Sequence, residues 1–307
     1  MSDNAFMHKQ RTFRPLDDLN LIDDFLFQEM LLQENDGEEF CRILLSTILG
    51  KSIRKVRILP QKNISGIHPA RHGIRMDAYI QDVSDESPLP GASRVDAKVI
   101  PDIYDIEPNK RCEKSQLPKR MRYYHGLIDT QLLASGAHYD MLPSVVIIVI
   151  LPYDPFGKNR MIYTIQNQCA EDSSLSYDDG AKKIFLYTKG TDGCTSQALR
   201  DMLKYLENTT TTNVTNQDIS TIHQLVEKVK RRKEVSINYM KSWEIDEMNR
   251  EEGRMEGREE TLAEALFAFV TTLQELQISR SDTLQKLKEK FSLTTDTAEN
   301  YLSMYWK

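Results

Sequence analysis

Two short stretches carry acidic side chains in a pattern that could hold a hard cation. Side chains two apart share one face of a strand. In Gly73-Ile74-Arg75-Met76-Asp77-Ala78-Tyr79-Ile80 this groups Ile74, Met76, Ala78 and Ile80 and leaves Asp77 on the other face. In Ile103-Tyr104-Asp105-Ile106-Glu107-Pro108-Asn109 it groups Tyr104 with Ile106 and sets Asp105, Glu107 and Asn109 opposite. Should the two strands pair, acidic groups from both converge on one ion. Carboxylate oxygens suit Mg²⁺, with Mn²⁺ the alternative, because Mg²⁺ keeps part of its water and needs only one or two protein carboxylates. Such an ion polarises a phosphodiester and assists in-line attack by water. The bland reading of the same residues is a pair of solvated strand ends.

The elements that must position these residues follow from hydrophobic period. Leu16 to Leu32 has apolar residues at helical spacing (Leu19, Ile22, Phe25, Leu26, Met30), and Gln33 to Gly37 interrupts it. Asp36 with Glu39 three residues later has the form of a capping box, and Phe40, Ile43, Leu44 and Ile48 then make one apolar face ending before Gly50. Strand patterns follow at Arg54 to Leu59, Gly73 to Asp82 and Val95 to Glu107, the last two separated by a connection rich in Ser, Pro, Gly and Asp. Leu117 to Leu133 reads as a helix opened by Pro118, and Val145 to Leu151 as a strand buried on both faces. The expected fold class is therefore α/β, in the order helix, three strands, helix, strand. Further strands are expected at Met161 to Gln166 and Lys183 to Tyr187, then a helix from Ser196 to Glu207 and a Thr-rich linker.

This places one domain over residues 16–208 and a charged helical region over 218–307. In that region Ile222, Leu225, Val226, Val229, Ile237, Met240, Trp243 and Met248 form an imperfect apolar stripe along a long helix. Helices at Ala263 to Leu276, Ser281 to Phe291 and Thr295 to Trp306 complete it. The stripe needs a partner, either within the chain or in a second copy.

Composition limits the function classes. The net charge is −6 over 307 residues, which argues against coating nucleic acid by bulk attraction and confines any DNA contact to local clusters. Two such clusters occur, at Lys110, Arg111, Lys119, Arg120 and Arg122, and at Lys228 to Lys233. Cys41, Cys112, Cys169 and Cys194 form no CxxC pair, so neither a zinc site nor a compact disulfide framework is expected. His68, His72, His125 and His138 fit no HExxH pattern, and no GxSxG elbow occurs. The longest apolar run, Val145 to Leu151, is too short to cross a bilayer, and no signal-peptide pattern opens the sequence. A cytoplasmic protein without membrane partners is expected by default.

Several ordered motifs carry a resemblance. Gly73 to Tyr79, Tyr104-Asp105-Ile106-Glu107, Leu117-Pro118-Lys119-Arg120-Met121-Arg122-Tyr123-Tyr124 and Tyr153-Asp154-Pro155-Phe156-Gly157 come in that order, with Ile162-Tyr163-Thr164 and Asp179-Gly180 before Lys183-Ile184-Phe185. Together they resemble the Rpn family of recombination-promoting nucleases, also described as PD-(D/E)XK nuclease family transposases, over about residues 21–240. The resemblance implies a PD-(D/E)XK restriction-endonuclease-like core with a helical C-terminal extension, and Mg²⁺-dependent DNA endonuclease activity. It further implies that Asp77 and Glu107 hold the metal, with a Lys or Gln two residues beyond the glutamate.

That third position is Asn109, which is shorter than Gln and carries no charge. Lys110 could supply the missing cation, although strict alternation turns it to the other face unless the chain bends at Pro108. Pro108 lacks a ladder N–H and suits an edge or a strand end. Asp105 reads equally as a second metal ligand or as the partner of Arg75 in a structural bridge. Glu39 reads either as the capping-box residue or as a group orienting water at the metal. Lys119, Arg120 and Arg122 read as DNA phosphate contacts or as a solvated helix face. Asp96-Ala97-Lys98 and Pro101-Asp102 imitate the signature but fall within the third strand and its approach. Two functions remain: an active endonuclease, or a catalytically degenerate nuclease fold serving as a DNA-binding or protein-interaction module.

Overall fold

In the computed structural model, which describes residues 13–64, 74–83, 102–110, 113–193 and 195–306, the run Val145–Leu151 is a strand with every residue buried. Around it lie β1 (Val56–Ile64), β2 (Ile74–Asp82), β3 (Ile103–Pro108), β4 (Val145–Leu151), β5 (Ile162–Gln166) and β6 (Ala181–Tyr187). The helices are α1 (Asp24–Leu31), α2 (Glu34–Leu49), α3 (Leu117–Leu132), α4 (Gln197–Glu207), α5 (Gln217–Lys230), α6 (Lys233–Glu275), α7 (Arg280–Phe291) and α8 (Thr295–Tyr305). The Asp96-Ala97-Lys98 stretch, Pro101, Arg111, His68, His72, Cys112, Cys194 and most of the connection before β3 lie outside the described residues. Among the described residues Cys41 and Cys169 are free thiols, and no helix is long and apolar enough to cross a membrane.

The strands form one mixed sheet in the order β1-β2-β3-β4-β6-β5. β1 to β3 are antiparallel neighbours, β3, β4 and β6 run parallel, and β5 returns antiparallel to β6. Parallel neighbours need a crossover, and α3 supplies it between β3 and β4. Leu117, Met121, Leu127 and Ile128 of α3 pack on Tyr79, Ile103, Val145, Ile147, Val149 and Phe185. The alternate residues Ala78, Ile80, Tyr104, Ile106, Ile148 and Ile150 are buried as well, so the sheet is covered on both faces. α1 and α2 pack against β1, α1 also against β2, and α4 and α5 against α2.

The molecule divides into two compact units, Met1–Ser236 and Ile237–Lys307. The second has its own small core of Leu266, Val270, Leu287, Ala298 and Leu302.

Three local expectations are corrected. The first helix does not run from Leu16. A short 3-10 turn at Leu16–Asp18 is followed by extended backbone at Asp23, whose carboxylate accepts from the Asn20 N–H at 2.7 Å and from Arg14 at 2.9 Å. The capping box at Asp36 does not form, because α2 starts at Glu34, with Gln33 rather than Asp36 at its N-cap. Asp36 instead pairs with Lys228, and Glu39 turns to Arg42. Finally, residues 263–276 are no separate helix: α6 runs unbroken through the polar stretch, with no proline and with i,i+4 charge pairs such as Asp246 and Arg250.

A close backbone approach fixes the α1–α2 corner. A Cβ added to Gly37 would lie 2.9 Å from the Met30 carbonyl oxygen and 3.0 Å from that of Leu31. Gly37→Ala should therefore destabilise the protein by about 1–3 kcal/mol, as overpacking does, outweighing the roughly 1 kcal/mol that alanine gains in a helix. Urea denaturation midpoints read the sign: an unchanged or higher midpoint contradicts the packing argument.

Candidate functional site

The antiparallel register of β2 and β3 pairs Ala78 with Ile106 and Tyr79 with Asp105, so continuing it by one residue sets Asp77 opposite Glu107. The two carboxylates meet at the end of the ladder, where the C-terminal end of β3 opens into a pocket of about 300 Å³. Asp24, Gln28, Asp77, Glu107, Pro108, Asn109, Lys110 and Arg120 line it. Ends of parallel strands are where open α/β sheets commonly bind ligands.

Each wall has a local cause. Pro108 is the last residue of β3, as its missing N–H requires, but β3 is a central strand and no edge. The chain regains the ladder at once, since the Asn109 N–H donates to the Ile150 carbonyl at 2.8 Å. Asp24 and Gln28 lie one turn apart on α1 and so share a helix face. Gln28 Nε2 donates to Asp77 Oδ1 at 2.9 Å, and Gln61 Nε2 donates to Gln28 Oε1 at 2.7 Å. Gln61 has φ 51°, and the β1–β2 ladder skips the pair it would make with Asp77. This left-handed residue interrupts strict alternation. Accordingly Ile74 and Met76 share a core cluster with Tyr79, which simple counting sets on the opposite face.

The electrostatics are those of crowded acids. Asp105 is fully buried and Glu107 is 2% exposed. Neither oxygen of Asp105 has a hydrogen-bond partner, and neither does Oε1 of Glu107. Burial, followed by the Glu107 and Asp77 charges, pushes the Asp105 carboxyl well above the ordinary range. Burial and the Asp77 charge likewise raise Glu107, against the opposing pull of Arg120. Asp77 is raised by burial and by Asp24, with the Gln28 hydrogen bond opposing. Unpartnered buried acceptors are expensive, and the crowding of these acids is relieved either by a proton or by a nearby cation.

The sequence-derived candidates divide sharply. Asp77, Glu107, Asn109, Lys110 and Arg120 come together around the pocket, with Asp105 buried on the Glu107 strand beneath it. The bridge from Asp105 to Arg75 does not form. Lys110 reaches the rim, but its ammonium is paired with Asp23. Arg120 donates from Nη2 to Glu107 Oε2 at 3.0 Å and to the Tyr124 hydroxyl at 2.8 Å. Lys119 and Arg122 are exposed on α3 outside the lining, and Tyr124 rather than Tyr123 is the buried tyrosine. Glu39 lies apart on α2, held by Arg42 at 2.6 and 2.7 Å, which keeps its carboxyl below the usual range.

No family model, curated protein or solved structure matches this chain.

What can be held here follows from the donor set. Among the described residues no group of three or more His, Cys, Asp or Glu side chains makes a metal cage. A pair of carboxylates beside an open, polar pocket is a different kind of site. It suits an ion that keeps several waters and takes one or two protein oxygens, which is the habit of Mg²⁺ and of its substitute Mn²⁺. Sequence reasoning overlooked Asp24, Gln28 and Gln61. The spacing of Asp24 and Gln28 by one helical turn was a readable sign of a polar stripe on α1.

Proposed function

We propose that the protein is a metal-dependent DNA endonuclease of the recombination-promoting type, with a PD-(D/E)XK-like core. The observation that carries this is the convergence of Asp77 and Glu107, with an unpartnered Glu107 oxygen, on a pocket that also contains a guanidinium. The element order of helix, three strands, helix and strand, and the motifs from Gly73 to Lys183, support the same reading.

Asp77 and Glu107 would hold Mg²⁺, or Mn²⁺ in its place. When bound, the ion supplies Lewis acidity at a phosphodiester oxygen and favours ionisation of water. The chain's own residues do the rest. Gln28, braced by Gln61, fixes the Asp77 carboxylate. The Asn109 amide, tied through its backbone to β4, presents a neutral hydrogen-bonding group beside the glutamate. Lys119 and Arg122, exposed on the helix that carries Arg120, give the local positive surface that a duplex backbone requires. The acidic whole then limits binding to this patch.

The test is incubation of purified protein with supercoiled plasmid and Mg²⁺ or Mn²⁺. Nicking that a chelator abolishes is expected. Metal-independent DNA binding without nicking would instead support the second reading, a degenerate nuclease fold used for binding, which the neutral Asn109 and the engaged Lys110 favour.

We also infer self-association through α6. Ile237, Met240, Met248 and Met255 are 42%, 53%, 70% and 55% exposed. At 100° per residue they fall within an arc of roughly 80°. An apolar seam of this kind in a charged helix is what a second copy would cover. The double variant Met248→Glu/Met255→Glu should scatter light as a monomer at concentrations where the parent chain is oligomeric. A monomeric parent chain contradicts the inference.

A further inference from the structure

We propose that Arg120 is a transferable counter-ion. It holds Glu107 while the carboxylates lack a metal, and contacts the scissile phosphate once a metal has taken its place. This rests on the nuclease reading above.

Two cationic residues line the pocket, and they are differently placed. Lys110 is committed to Asp23, which also binds Arg14. Arg120 sits in the first turn of α3, with a side chain 35% exposed, while its partner Glu107 is 2% exposed. The ion pair is therefore one-sided: the carboxylate is locked in the sheet, and the guanidinium stands at the pocket wall. Its second anchor is Tyr124. The phenol oxygen accepts from Arg120 Nε at 3.2 Å and Nη2 at 2.8 Å, and the guanidinium carbon lies 5.0 Å from the ring centroid. Release from Glu107 thus leaves the guanidinium held on an aromatic pivot beside the pocket.

The chemistry favours an exchange. A divalent ion at Glu107 outcompetes a single positive charge for the carboxylate and repels a guanidinium a few ångströms away. A phosphodiester entering the pocket offers that guanidinium two anionic oxygens in the geometry its fork matches. Asn109 also lines the pocket, and its neutral amide cannot provide a positive charge. Arg120 then acts as the catalytic cation, since the other cation of the lining, Lys110, is paired with Asp23.

The two halves of the proposal give opposite signs in one variant, which a merely structural arginine would not. In Arg120→Ala, calorimetric titration of the full chain with Mn²⁺ should show about tenfold tighter binding, because a competing charge has gone. Plasmid nicking should fall by roughly 10²- to 10³-fold, as loss of one transition-state donor does, and guanidinium ion added to the reaction should restore part of it. Arg120→Lys keeps the charge without the fork. It should bind Mn²⁺ as the parent does and nick at an intermediate rate, so the proposal remains testable if the alanine variant folds poorly. Weaker or unchanged Mn²⁺ binding in Arg120→Ala overturns the counter-ion half, and this arm needs no nuclease activity. Undiminished nicking overturns the phosphate half alone. A parent chain that never nicks overturns the nuclease reading together with the phosphate half, and leaves the metal titration to decide the other.

Discussion

Replacing Glu107 by Gln, or Asp77 by Asn, is expected to abolish Mg²⁺-dependent nicking while leaving the chain folded. Each change is close to isosteric and removes one of the two strand carboxylates that face the pocket. A metal stabilises transition-state charge by several kcal/mol, and a loss of about 3–4 kcal/mol corresponds to roughly 10²–10³ in rate. Metal affinity should fall by more than the roughly 10- to 100-fold that loss of an outer-shell partner causes. Calorimetry and gel-based nicking assays read the two effects separately. Should either variant bind Mn²⁺ and nick like the parent chain, the pair is no metal site.

The second large effect concerns stability in a chelating buffer. Asp105 and Glu107 are both raised in the folded protein, chiefly by burial. A carboxyl that binds its proton more tightly when folded contributes stability that is fully present below its ordinary value. That contribution is lost as pH rises through the folded value. The ordinary values are 3.8 for Asp105 and 4.5 for Glu107, so the metal-free protein should weaken as pH climbs from about 4 into the neutral range. One pKa unit corresponds to about 1.4 kcal/mol, and a loss on the order of 1–3 kcal/mol is expected between about pH 5 and about pH 8. Asp105→Asn and Glu107→Gln should each flatten this slope, and saturating Mg²⁺ should offset it by mass action. Urea midpoints across that range, with and without metal, check it. A parent chain and Asp105→Asn with parallel profiles would show that the buried acid is not titrating.

The pairing of Asp77 with Glu107 was legible because it needs only two local facts, period-two alternation and antiparallel neighbours, and both are written within a few residues of each carboxylate. The buried β4 strand and the Pro118-led helix were legible for the same reason. Lys110 was not, because its partner Asp23 is 87 residues away and no local rule links them. Glu39 was misassigned because Asp36 and Glu39 do have capping-box spacing. An earlier helix start and an arginine three residues further on claimed the side chain instead. Gln61 shows the limit of alternation itself. One left-handed residue next to Asp77 breaks the pattern on which the face assignment was built, and at the same time lets a second glutamine brace the aspartate.

The wall of the pocket contributed by α1 is tied down from far along the chain. The Leu21 N–H donates to Thr209 Oγ1 at 2.8 Å, the Ile22 N–H to the Leu206 carbonyl at 3.1 Å, and buried Lys230 donates to the Asp17 and Leu19 carbonyls at 2.6 and 2.8 Å. During synthesis Asp24 and Gln28 are made early, and the last anchor of the segment that leads into α1 forms only after Lys230 has cleared the ribosome. A chain that ends before α5 keeps the packing of α1 on α2, β1 and β2 and lacks the Lys230 anchor, so α5 braces a pocket wall that earlier residues build.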